Sequence, residues 1–210
     1  MTKHQRWLTA MMMGALLAAC SGGACGCGGG SDAQSTPEGV VRKMTTAVVE
    51  MDKEDFVACL TGTPTEMRAA NAFMDFLVAG KEFKEAMIEA YGEKAWADFQ
   101  DPRGARLTTE VTDNRGELHK VKYDVKGDTA VCTFPEGSQR IHLVRKDGRW
   151  YVQVRDIITA KGPLEKATEF WEKTAAFIRR SKARIGKPGV TAESLDDEMG
   201  RGFMKIMTSR

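Results

Sequence analysis

The sequence is short of the side chains and spacings that perform chemistry. It holds three histidines in 210 residues, and one of them, His4, lies in the N-terminal leader. No G-x-S-x-G, no phosphate-binding loop and no H-E-x-x-H occurs, which removes the usual signatures of serine hydrolases, nucleotide-binding enzymes and zinc peptidases. The Cys and His residues do not recur at metal-ligand spacing, so no metal or other cofactor is expected. An excess of one charge is missing too. Lys3 and Arg6 are the only two of the 31 basic residues that precede Cys20, and no acid does, so the rest of the chain balances its 29 acids. A dedicated nucleic-acid binder needs surplus Lys and Arg facing phosphates, and that class is excluded. The most apolar stretch, Trp7 to Leu17, is too short for the roughly 20 residues that span a bilayer. There is no internal repeat.

What is present begins at the N-terminus. Lys3, His4 and Arg6 form a basic start, Trp7 to Leu17 an apolar middle, and Ala18-Ala19 a small-residue end. That order describes a secretory signal. Its last residues, Leu17-Ala18-Ala19-Cys20, resemble the lipobox of bacterial lipoproteins. The resemblance implies diacylglycerol on the Cys20 thiol, cleavage before Cys20 and frequent acylation of the new N-terminus. Residues 1–19 are then a signal peptide. A thiol suits this chemistry because it is the strongest side-chain nucleophile once ionised. Ser21 follows Cys20 where some bacteria mark inner-membrane retention with Asp, so the outer membrane, on its periplasmic face, is the preferred location. Residues 20–35 are dominated by Gly, Ser, Ala and Cys and read as a flexible tether of roughly 20 Å typical reach. Cys25 and Cys27 within it lack further ligands and are read as incidental.

Downstream, 42% hydrophobic and 29% charged residues suit a globular body with a real core. Thr36-Pro37 caps and opens a helix carrying Val40, Val41, Met44, Ala47, Val48 and Met51 at helical spacing. A short helix over Asp52–Leu60 follows. A long helical region runs from Thr65 to about Phe99, with Gly80 and Gly92 placed to bend or divide it. After Asp101-Pro102 the period shortens. Strands are expected at His119–Val125, Thr129–Phe134, Arg140–Arg145 and Trp150–Ile157, joined by tight turns at Lys126-Gly127-Asp128, Pro135–Ser138 and Lys146-Asp147-Gly148. From Pro163 the chain is helical again. Gly186 and Pro188-Gly189 stop one helix, and Thr191 caps another.

Helices followed by a meander ending in Lys146-Asp147-Gly148-Arg149-Trp150-Tyr151-Val152 resemble the nuclear transport factor 2-like superfamily. The resemblance covers about Thr36 to Ile158. It implies an α+β fold, N-terminal helices packed on a curved antiparallel meander (a cystatin-like cone). The expected organisation is a domain at 36–158 and a C-terminal helical extension of two helices at 159–210. This scaffold carries both enzymes and non-catalytic modules, so fold does not settle function. Enzymes of the superfamily use an acid–base Asp or His inside the cone. Here His142 alternates to the outer face and His119 lies at a strand start, which leaves Tyr123 and Arg145, beside Trp150, as candidate pocket-lining residues. A non-catalytic binding or interaction module, tethered to the membrane through Cys20, is the expected function, its ligand a small molecule or an envelope protein. An isomerase- or dehydratase-like enzyme is the alternative.

Alternation puts Val121, Tyr123, Val125, Ala130, Cys132, Phe134, Ile141, Leu143, Trp150, Val152 and Val154 on one face of the sheet, under the helices from Thr36 to Phe99. Cys59 and Cys132 are expected to be buried, with a bridge between them left open. The other face is mainly charged and hydroxylic, which predicts a monomer, with Val131, Val144 and Tyr151 able to receive a C-terminal helix. Arg179, Arg180, Lys182, Arg184 and Lys187 cluster late in a helix. They are read first as cations favoured by a helix C-terminus and second as a contact for anionic lipid or cell-wall polymer.

Overall fold

The computed structural model describes residues 32–99, 111, 113–135, 140–160 and 162–208. The leader, Cys20, Cys25, Cys27, most of the tether, Asp101-Pro102 and the turn at 136–138 lie outside the described residues. In chain order the elements are a 3₁₀ turn Ala33–Ser35, α1 Pro37–Glu50, α2 Lys53–Ala58, β1 Leu60–Thr61, α3 Pro64–Asp98, a 3₁₀ helix Arg115–Lys120, β2 Lys122–Lys126, β3 Thr129–Thr133, β4 Arg140–Lys146, β5 Arg149–Gln153, α4 Val154–Ile157, α5 Leu164–Lys182 and α6 Ala192–Thr208. The fold is mixed α+β. It divides into two compact units: the described residues of 1–63 with those of 110–157, and the described residues of 64–109 with those of 158–210. This grouping departs from a linear division at residue 158, because α3 joins α5 and α6.

The first unit is built on a five-stranded sheet of order β1-β5-β4-β3-β2. The Lys126-Gly127-Asp128 and Lys146-Asp147-Gly148 turns form as expected, with Gly127 and Gly148 at positive φ, and the meander strands pair antiparallel. The two-residue strand β1, expected as the end of a helix, adds in parallel to β5. The Thr36 hydroxyl accepts the Gly39 N–H at 3.0 Å, and Pro37 takes the first helical position, as the sequence requires. Asp52 caps α2 through the Asp55 N–H. Helix α1 buries Val40, Val41, Met44 and Ala47 and packs, with the 3₁₀ turn, against β5. Within this unit the apolar face is covered by α1.

Two strand boundaries differ from expectation. The chain before β2 winds as a 3₁₀ helix through His119, so β2 starts at Lys122. After Gln153 the chain coils into α4, which removes Val154 from the ladder while leaving it 1% exposed. Val125 alternates onto the apolar side but is 50% exposed. It lies in edge strand β2, where a strand lacks a neighbour on one side.

The second unit is helical. Gly92 interrupts α3 at φ 86°, ψ 163°, whereas Gly80 stays helical and buried. The break lets the chain double back. Trp96 stacks on Phe99 with ring centroids 5.4 Å apart, and both rings meet Phe83, at 6.4 and 5.5 Å. Phe83, Met87, Ala175, Ile178, Leu195 and Met199 form the core. The Trp171 stripe of α5 finds its partner in α3, through an edge-on contact with Phe73 at 5.4 Å. Thr191 and Ser194 cap α6 reciprocally, Ser194 N–H to Thr191 Oγ1 and Thr191 N–H to Ser194 Oγ.

Candidate functional site

The register of the sheet decides which sequence candidates meet. One row of inward residues runs Val125–Ala130–Leu143–Val152–Leu60, across all five strands. A second row, Tyr123–Cys132–Ile141, lies on one side of it. The pair Arg145–Trp150 lies on the other. Arg145 and Trp150 are therefore cross-strand neighbours, but Tyr123 is two strands and four residues of rise away from Arg145, roughly 17 Å. Trp150 is 4% exposed, while Arg145 lies in solvent. The three pocket-lining candidates do not converge.

Tyr123 is half-buried. Its hydroxyl is shielded from water and makes no hydrogen bond of normal geometry. Burial pushes the phenol above its ordinary range. The Cys132 thiol opposite it and the Glu38 carboxylate add to the rise, and the Arg42 guanidinium opposes it. Cys132 is itself fully buried, and desolvation raises its thiol to about 12. Cys59, at the end of α2, is also fully buried, and burial pushes it up to about 12 against the opposing charge of Lys43. Lys43 is held cationic by a 2.9 Å ion pair with Asp55. Both cysteines are free. Both stay protonated at neutral pH and lack the thiolate character that a nucleophile needs.

The polar contacts that organise this unit were not legible as motifs. Gln34, 5% exposed, donates its side-chain amide to the carbonyls of Ala58 (3.0 Å) and Trp150 (3.1 Å). Asp32 pairs with Arg149 at 2.6 Å. Together they fix the start of the described chain to the β4–β5 hairpin. His142 faces outward as alternation predicts. Its backbone N–H donates to Asp156 Oδ2 at 2.7 Å, and its ring Nδ1 donates to the same oxygen at 3.0 Å. Asp156 thus replaces the ladder partner lost where β5 coils into α4. His119 donates from Nδ1 to the Gly116 carbonyl, within its own 3₁₀ helix.

The basic cluster of α5 is largely neutralised inside the second unit. Arg179 pairs with Asp75 at 3.1 Å, Lys182 with Glu82 at 2.9 Å, and Arg184 with Glu198. Arg180 lies over the Phe177 ring at 6.0 Å. Among the described residues no three His, Cys, Asp or Glu side chains are grouped to hold a metal ion, and no helix is long and apolar enough to cross a membrane. Comparisons with protein-family models, curated proteins and solved structures find no match to this chain.

Proposed function

We propose that this chain is a lipid-anchored envelope protein whose body acts as a non-catalytic binding or interaction module. The observation that carries the reading is the ordered N-terminus: a basic start, a short apolar run, Leu17-Ala18-Ala19-Cys20 and then a Gly-rich tether. In this reading the leader is removed, Cys20 carries the acyl chains, and the residues from Cys20 up to Asp32 hold the body near the bilayer, the expected tether being shorter at its end because residues 32–35 are clasped to the β4–β5 hairpin. Each buried methylene adds about 0.8 kcal/mol, and more than one chain makes the anchor stable. Ser21 favours the outer membrane. The sheet unit is read as nuclear transport factor 2-like, on its helix-then-meander order and on the Lys146–Val152 hairpin.

Binding is preferred to catalysis for two reasons. Tyr123 and Arg145 lie in different rows of the sheet, so they do not face one substrate atom. The two buried thiols are held protonated. The test is the mass of the N-terminal peptide from protein purified out of its own envelope, with cell fractionation of a Cys20→Ser variant. The expected peptide begins at Cys20 and carries diacylglycerol, and the variant leaves the membrane fraction. Unchanged detergent partitioning of the variant would overturn the anchor.

A further inference from the structure

The last two turns of α6 differ from its first two. Over Glu193–Glu198 the helix carries four acids: Glu193 and Asp197 are exposed beside Ser194, Asp196 is half-buried, and half-buried Glu198 turns to Ser181 and Arg184. From Arg201 to Thr208 there is no acid. Leu195 and Met199 fill the buried stripe, and Phe203 continues it, edge-on to Phe177 at 5.7 Å. The outward side then carries Met204 and Met207, 54% and 46% exposed, flanked by exposed Arg201 and Lys205. Met204 and Met207 are three apart, and Arg201 and Lys205 are four apart, so each pair lies along one side of the helix. Arg201 and Lys205 make no ion pair among the described residues, in contrast to the paired cations of α5. Arg180, over the Phe177 ring, adds a third cation beside the same aromatic edge.

The negative end of a helix dipole accounts for cations in a last turn. It does not account for two large apolar side chains left in water beside them. A cationic flank next to exposed apolar side chains is the arrangement of a helix that lies at a lipid surface. We propose that residues 200–208 of α6 contact anionic phospholipid headgroups at a bilayer surface, Arg201 and Lys205 meeting phosphates and Met204 and Met207 entering the acyl boundary. This rests on the anchoring reading, because two methionines and two cations bind weakly alone. A tether of roughly 20 Å raises their effective concentration at the bilayer. A second copy of the chain fits the surface less well. Two side chains cover far less than the roughly 1,200–2,000 Å² of a stable interface, and a two-fold contact would set like charges together.

The test uses protein purified from its own envelope, mixed with vesicles of pure phosphatidylcholine and with vesicles one-third phosphatidylglycerol. Failure to float with phosphatidylcholine vesicles speaks only against the anchor. The contact is read separately, by hydrogen exchange of the backbone amides of residues 200–208. Exchange is expected to slow about tenfold on the anionic vesicles relative to the neutral ones. Both Met204→Gln with Met207→Gln and Arg201→Gln with Lys205→Gln should abolish the difference while leaving exchange in α3 unchanged. Equal exchange on the two vesicle types would overturn the proposal, as would a difference that survives both double variants. Protection that grows with protein concentration in the absence of vesicles would overturn it in favour of self-association.

Discussion

The two units of this chain are stabilised by different physics. The fully buried centre of the sheet unit is aliphatic and thiol-lined, with Val40, Val41, Cys59, Cys132, Ile141, Leu143 and Val152 all at 1% exposure or less and the rings of Phe56, Trp150 and Phe134 around it. Several of its backbone groups are satisfied by side chains distant in sequence. Gln34 serves Ala58 and Trp150, and Asp156 serves His142. In the helical unit the Tyr91 hydroxyl plays that part between the Gly186 N–H and the Val190 carbonyl, but the unit is held chiefly by rings and methionines, Phe83, Met74 and Met87 among them, with ion pairs such as Arg179–Asp75 and Lys182–Glu82 at its rim. Exposed pairs of that kind are worth about 0–1 kcal/mol each, so the aromatic core carries the helical unit. The sheet unit depends on a few polar residues at named positions and on two thiols that must stay neutral.

That difference predicts a strong response to alkali in one unit only. The unfolded chain releases its thiol protons near pH 9.0, whereas folded Cys59 and Cys132 hold theirs to about 12. Between those values the folded state binds more protons, so stability is full below pH 9 and falls as pH rises. The slope is on the order of 1.4 kcal/mol per pH unit for each thiol. The raised phenol of Tyr123 acts in the same direction. Amide exchange of β3 and β4 should therefore accelerate between pH 9 and 12, after correction for intrinsic rates, ahead of that of α5. The helical unit has no cysteine. In a Cys59→Ala, Cys132→Ala variant the slope should flatten. A slope that persists there would remove the thiols from the account.

Two single substitutions sharpen the comparison from the packing side. Phe83 is fully buried against Trp96 and Phe99, so Phe83→Ala should cost about 3–5 kcal/mol, seen first in exchange of α5. In the sheet unit the comparable position is a glycine. A Cβ at Gly39 would fall on the backbone carbonyl oxygen of Ala33, and backbone yields less readily than a side chain. Gly39→Ala should cost about 1–3 kcal/mol and loosen the clasp of Asp32 and Gln34 on the β4–β5 hairpin. Equal effects of both substitutions on both units would mean that the units melt as one.

Legibility followed the range of the interactions. The Thr36 and Thr191 caps, the Asp-Gly hairpin and the buried alternation of β3 and β4 are set by neighbours a few residues apart, and each could be read. The partnership of α3 with α5 could not, because both stripes were apolar and the sequence offered two surfaces for each. Strand β1 is two residues long, below any periodicity. Asp156 lies in a segment that alternates like a strand, and only the loss of the β5 ladder makes its carboxylate necessary. Among the site candidates, Tyr123 lies in the row of Cys132 and Ile141. Its separation from Arg145 is a matter of register, fixed by the turns and not by either residue.

The smallest expected effect compares one hydroxyl in each unit. Thr174 Oγ1 is fully buried in α5 with no hydrogen-bond partner, and the Tyr123 hydroxyl is shielded in the sheet unit in the same state. An orphaned buried hydroxyl costs more than its removal does. Thr174→Val keeps the shape and β-branching and should raise stability by about 1 kcal/mol. Tyr123→Phe should do the same or slightly less, because the Cys132 thiol offers the phenol a weak polar contact. Chemical denaturation of both variants checks this directly. A gain at Thr174 with a clear loss at Tyr123 would mean that the phenol is satisfied in solution by something bound at the β2 edge. Tyr123 would then return as a ligand-contacting residue.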